Sequence, residues 1–117
     1  KNDNVEVLYE KNISEYFNIF NAHLRKTDIL WSKPSEISFY TALGIPIVIA
    51  PTIGSQEDFN KHWLIHLGAG ISQRNTKFTA EWLFDIINDG RLAESAMEGY
   101  IKAESQGAEN IRKVIFK

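Results

Sequence analysis

Two short apolar runs, Asp28 to Trp31 and Pro46 to Ala50, are rich in β-forming residues and bounded by Ser, Pro and Gly. That pattern predicts strands buried on both faces of a parallel sheet. Val5 to Tyr9 predicts a further strand ahead of them, and Ile71 to Gln73 a short one after them. Between the strands the apolar spacing changes to a helical period. Ile13, Phe17, Phe20 and Leu24, widened by Tyr16 and Ile19, predict a helix capped by Asn12 or Ser14. Ser35 is expected to head a helix to Leu43, with Gly44 as its stop. Gly54 or Ser55 opens the next, which runs to about Leu67 with Phe59, Trp63 and Leu67 on its buried face. Thr79 is expected to cap a helix that turns Trp82, Leu83, Ile86 and Ile87 inward and closes at Asp89-Gly90. Leu92, Met97 and Ile101 predict another helix ended by Gly107, and Ile111, Val114 and Ile115 a short terminal one.

The order is β-α-β-α-β-α-β-α-α-α. It predicts one α/β domain over residues 1–117: a Rossmann-like, partly doubly wound, mainly parallel sheet of about four strands flanked by helices, with helices at the C-terminus. No repeat, linker or low-complexity segment interrupts it.

In such sheets the loops after the strands converge at the carboxyl edge, where ligands bind and helix N-termini attract anions. Two loops stand out there. In the first, Ser32-Lys33-Pro34-Ser35-Glu36, hydroxyls, backbone N–H groups and one lysine could hold a phosphate. The plain alternative is helix capping, with Ser35 as N-cap or Pro34 in the first turn. In the second, Gly54, Ser55, Gln56 and Glu57 put an amide and a carboxylate on a first helical turn. The pair could read vicinal sugar hydroxyls, or Glu57 could simply cap.

Composition narrows the choice. At 117 residues, 44% apolar and 24% charged, the chain is an ordinary globular size and mix. A net charge of −2 does not direct it to nucleic acid or anionic membrane. The lack of cysteine removes disulfides and thiolate metal sites and fits a cytoplasmic setting. No apolar run approaches the roughly 18–20 residues of a membrane span. His62 and His66 are four apart, the separation of paired zinc ligands. Trp63, however, stands where the metalloprotease pattern needs Glu, and His23 is the single further histidine, so no metal site is expected. Nucleophile elbows and the usual phosphate-loop and dinucleotide glycine patterns are missing, so no catalytic residue is assigned. The tryptophans sit at core-like spacings.

The stretch from about Thr27 to Ser72 resembles the C-terminal, nucleotide-sugar-binding domain of GT-B glycosyltransferases, nearest the group of diacylglycerol glucosyltransferases and the peptidoglycan N-acetylglucosaminyltransferase. The resemblance rests on Asp28, Ser32-Lys33-Pro34, Ala42-Leu43-Gly44-Ile45-Pro46, Pro51, Gly54, Gln56-Glu57 with Asn60, and Gly68-Ala69-Gly70. It implies a donor site for a nucleotide diphosphate sugar such as a UDP-sugar, with no separate cofactor. Ser32, Lys33, Ser35 and Glu36 would lie by the diphosphate. Gly54, Ser55, Gln56 and Glu57 would face the sugar or ribose, with Asn60 one turn on. Two departures stand out. Ser35-Glu36 replaces a Gly-Gly pair, with two fewer residues before Gly44, and Phe39 falls where the family sets a ribose-binding carboxylate.

The resemblance also implies that this is the donor-binding half of a two-domain transferase, inactive without an N-terminal acceptor domain. Two strands of the family's sheet have no counterpart here. The strand at residues 5–9 is therefore expected either to pair directly with the one at 28–31, or to leave a gap filled by another copy. Two competing expectations remain: a degenerate, non-catalytic binding module that keeps the fold but has lost the donor site, favoured by Phe39, and a regulatory or interaction domain that docks another domain through Phe39, Tyr40 and Trp63.

Overall fold

The computed structural model describes residues 4–116. Its elements in order are α1 (Ile13–Leu24), β1 (Leu30–Ser32), α2 (Ile37–Ala42), β2 (Ile47–Ile49), α3 (Ser55–Leu67), β3 (Gly70–Ser72), a 3₁₀ turn (Thr76–Phe78), α4 (Thr79–Asn88), α5 (Arg91–Lys102) and α6 (Gly107–Ile115). The three strands form one parallel sheet in the order β1-β2-β3. Leu30 is in register with Ile47, and Ile47 with Gly70.

The middle strand explains the layering. Side chains alternate across a strand, so Ile47 and Ile49 point to one face and Val48 to the other. All three are 0–1% exposed. Ile47 and Ile49 pack with Ile37 of α2 and Leu64 of α3, while Val48 packs with Trp82 and Ile86 of α4 and Leu92 of α5. Helices therefore cover both faces, which is why β2 has no polar position. Full burial of such a side chain is worth about 1.5–3 kcal/mol.

Local chemistry sets several boundaries. Asn12 caps α1, its Oδ1 accepting from the backbone N–H of Ser14 at 2.9 Å. Gly68, with φ of +83°, ends α3 in the left-handed region while Ala69 N–H reaches back to the Leu64 carbonyl.

The predicted strand at Val5–Tyr9 does not form. Val5, Val7 and Tyr9 are exposed, no ladder joins the segment to β1, and Glu6 lies 3.7 Å from His23 Nε2, alongside α1. β-forming residues make a strand only when they pair, and this segment joins neither edge strand, β1 or β3, so among the described residues the sheet has three strands and not four. The predicted gap is not closed by this segment.

Helix faces differ too. Phe59 is exposed, and the buried residue of α3 is Leu64, with Trp63 and Leu67 partly covered. Ile87 is exposed and Leu83 half-buried. On α5, Met97 and Ile101 face out, while Leu92, Ser95 and Gly99 face in. The reason is close approach: a Cβ on Gly99 would stand 3.0 Å from the Thr41 carbonyl oxygen, so α5 meets α2 through its smallest residue. Gly107 begins α6 instead of ending α5, and Ile111, Val114 and Ile115 of α6 are exposed. Thr79 opens α4 but does not cap it; its hydroxyl donates to the Thr76 carbonyl of the preceding 3₁₀ turn.

Candidate functional site

The loop leaving β1 and the loop leaving β2 meet at the carboxyl edge of the sheet. The β1–β2 ladder continues one bond past the strands, with Ala50 N–H donating to the Ser32 carbonyl at 2.9 Å. The chain then reaches Gly54, whose φ of +89° and ψ of 164° suit glycine, and α3 starts.

The first turn of α3 is occupied by its own acids. Glu57 Oε2 accepts from Ile53 N–H at 2.6 Å, reaching back over the helix start as a cap does. The same oxygen lies 3.6 Å from Lys33 Nζ, with the two side chains 42% and 23% exposed. Thr52 donates its hydroxyl to the Asp58 carboxylate. Both carboxylates sit where the helix dipole favours negative charge. Asn60, one turn on, donates from Nδ2 to the Pro34 carbonyl at 2.8 Å. Pro34 is fully buried, so the first loop is pinned to α3 at its centre.

Lys33, Glu57 and Asn60 are thus brought together. Ser32 lies alongside, its hydroxyl donating to the Lys33 carbonyl at 3.1 Å. Glu36 is not drawn in, and Ser35 meets the group only as lining of a cavity it shares with Asn60. Ser35 neither caps α2 nor starts it: its N–H donates to the Lys33 carbonyl in a tight turn, and α2 begins at Ile37. Pro34 is likewise outside the first helical turn. Glu36 occupies the N-cap position of α2 without a capping side-chain bond, and its charge acts on Tyr40 instead. The Tyr40 hydroxyl is pushed above its ordinary value of about 10, first by burial and then by Glu36 and Tyr16. Ser55 and Gln56 are exposed, and neither side chain has a hydrogen-bond partner among the described residues.

Phe39 is exposed and packs edge-on to Tyr40 at 5.4 Å. It lines grooves toward α1 and toward residues 104–107, away from Asn60. A cavity of about 260 Å³ lies between α2 and α3, lined by Ser35, Ser38, Phe59, Asn60 and Trp63 over Ile37.

The third loop also reaches this edge. Gln73 N–H donates to the Ile49 carbonyl at 2.9 Å, extending the β2–β3 ladder, and Gln73 Oε1 accepts from Trp31 Nε1 at 2.7 Å. Trp31 packs edge-on against Trp82 at 5.4 Å. The apolar spacing predicts these tryptophans as core and Gln73 as the end of a short strand, with no side-chain partner. Only the parallel order of β1 and β3 around β2 brings the pair together across 42 residues. The sequence places Thr52 in the second loop but does not pair it with Asp58. Their signal was legible, a hydroxyl shortly before a helix start with an acid in its first turn.

His62 and His66 are both exposed on the outer face of α3. Among the described residues no cluster of three or more His, Cys, Asp or Glu is placed to hold a metal ion, and no helix is long and apolar enough to cross a membrane.

No curated protein and no solved structure matches the chain. A family model, described as a domain of unknown function (DUF6938), matches residues 1–111. Nearly the whole described fold, including both loops of the site and all but the end of α6, falls within that match. The chain therefore belongs to this family.

Proposed function

We propose that this domain is the donor-binding part of a glycosyltransferase that uses a nucleotide diphosphate sugar. The observation that carries the reading is the meeting of Lys33 with Glu57, 3.6 Å apart across two loops at the carboxyl edge of a parallel sheet. In open α/β sheets this is where ligands bind.

Lys33 is 42% exposed and held by a single long ion pair. A diphosphate carries more charge than one carboxylate and would draw the ammonium away from Glu57. The N-terminus of α3, thirteen residues long, adds its dipole. The six-residue α2 adds little. Ser32, Ser35 and Glu36 belong to the same loop as Lys33. The free amide of Gln56 can both donate to and accept from sugar hydroxyls, with Gly54 and Ser55 beside it, while Glu57 accepts and Asn60 keeps the loop in place.

In the complete enzyme the anomeric carbon–oxygen bond to the diphosphate breaks and the diphosphate keeps the electron pair. The acceptor oxygen bonds the anomeric carbon and gives its proton to a base on the N-terminal domain. Lys33 and the α3 N-terminus stabilise the charge that develops on the leaving group. The fold this reading requires is a partial, Rossmann-like doubly wound sheet completed by the rest of a cytoplasmic two-domain protein. UDP is the expected nucleotide, and the domain alone turns nothing over.

A second reading, a binding module that has lost the donor site, is favoured by one observation. Glu57 already spends Oε2 on Ile53 N–H, as a structural cap would.

Ligand-observed NMR with UDP, GDP and their hexose conjugates decides between them. Saturation transfer to one nucleotide sugar, reduced by Lys33→Ala and by Gln56→Ala, supports the donor site. No transfer, from either this chain or the two-domain protein, leaves the module reading standing.

A further inference from the structure

The helix α6 has no buried residue, and Ile111, Val114, Ile115 and the following Phe116 are 61–77% exposed. A nine-residue helix is marginal in water without tertiary packing, so an apolar stripe of this kind needs a cover. Its neighbourhood is apolar as well. Met97, Tyr100 and Ile101 form the outer face of α5, and Phe39 of α2 and Leu43 just after it stand out beside it. Tyr100 Cβ lies 3.3 Å from where a Cβ on Gly44 would be, so the faces of α5 and α2 are continuous. Between α2 and the chain before α6 runs a groove of about 480 Å³, lined by Ser38, Phe39, Ala42, Leu43, Glu104 and Gly107. The radius of gyration is 16.1 Å, against roughly 13 Å for a compact chain of this length.

We infer that α6 of one copy docks into the groove beside Phe39 and Leu43 of a second copy, in a two-fold dimer. Two features select a second copy as the occupant. The surface is self-complementary: each chain offers both an apolar helix and an apolar groove, as an isologous interface requires. The groove touches α6 only at Gly107, and the apolar side chains beyond it stay out in solvent, so the helix does not fill its own groove. Charge is complementary too. Glu104 lies at the groove and Lys113 on α6, and neither has an ion-pair partner among the described residues. Gly44 precedes β2, so this surface lies toward the amino-terminal end of the sheet and leaves the carboxyl edge open. The inference does not rest on the donor-site reading.

Sedimentation velocity over a wide concentration range tests it on the whole chain. The wild type is expected to pass from monomer to dimer. The double variant Ile111→Glu with Ile115→Glu replaces no buried residue and is expected to weaken association by at least roughly a hundredfold, since each isoleucine loses its apolar burial at the interface. Its circular dichroism spectrum should still show the folded core. Lys113→Glu alone and Glu104→Lys alone are each expected to weaken association roughly fivefold, and their combination to restore it. A wild type that stays monomeric at every concentration overturns the inference. So does a dimer unaffected by the α6 double variant, or a charge swap that restores nothing.

Discussion

The side-chain amide of Asn60 donates to the main-chain carbonyl of Pro34 at 2.8 Å, tying the second turn of α3 to the loop that leaves β1 across 26 residues of sequence. Pro34 is fully buried, so its carbonyl has little access to solvent if the bond is removed. Asn60→Ala is expected to cost about 1–3 kcal/mol, the penalty for an unpaired buried acceptor. Asn60→Asp should cost at least as much, because it sets a second acceptor against the first. Urea denaturation of the two variants against the wild type checks this; a loss within error for both would show that water replaces the amide.

Glu57 and Lys33 should separate by kind of effect. Glu57 caps the chain entering α3, so Glu57→Ala is expected to cost about 1 kcal/mol of stability. Lys33→Ala removes one long, partly exposed ion pair and should cost well under about 1 kcal/mol. Glu57→Gln keeps an acceptor for Ile53 N–H and should fall between them. Thermal melts give the order. Were Lys33→Ala the most damaging, the lysine would be structural and the phosphate role would lose its support.

Tyr40 makes stability depend on alkaline pH. Its hydroxyl is held above the ordinary value of about 10, chiefly by burial and then by the charges of Glu36 and Tyr16. The folded state therefore keeps the proton more tightly than the unfolded state. The contribution is complete below about pH 10 and is lost as pH rises through the raised folded value. Denaturation midpoints should fall more steeply above pH 10 for the wild type than for Tyr40→Phe, in which this proton is absent. Identical slopes would contradict the assignment.

Gly70 sits where β3 crosses under α3. A Cβ there would lie 2.6 Å from Leu64 Cδ2 and 3.0 Å from Ile49 Cδ1, both in the fully packed core. Gly70→Ala is expected to destabilise by about 1–3 kcal/mol through overpacking, and shortening Leu64 to Val in the same chain should recover part of the loss. Guanidinium unfolding of the single and double variants measures both. Independent, additive losses would mean that Leu64 is not what the new methyl group meets.

The sequence alone determined the alternation of strands and helices from β1 to α4, the Asn12 cap, the glycine stops at Gly44, Gly68 and Gly90, and the two loops at the carboxyl edge. These depend on contacts within a few residues: Asn12 on its own helix, Gly68 in the left-handed region, and apolar runs long enough for one strand. It also brought Lys33, Glu57 and Asn60 onto a common edge, because parallel strands place successive loops there. The tertiary structure decided what periodicity leaves open. Both Phe59 and Leu64 lie on α3, but only Leu64 meets Ile47 and Ile49; both Met97 and Gly99 lie on α5, but only Gly99 lets the helix approach Thr41. Val5 to Tyr9 has the composition of a strand and pairs with neither edge strand, β1 or β3, and Glu57 meets both Ile53 N–H and Lys33, a pair of contacts that no local pattern specifies. A side chain's partner across the fold is set by the packing of distant elements, and the local pattern carries no record of that distance.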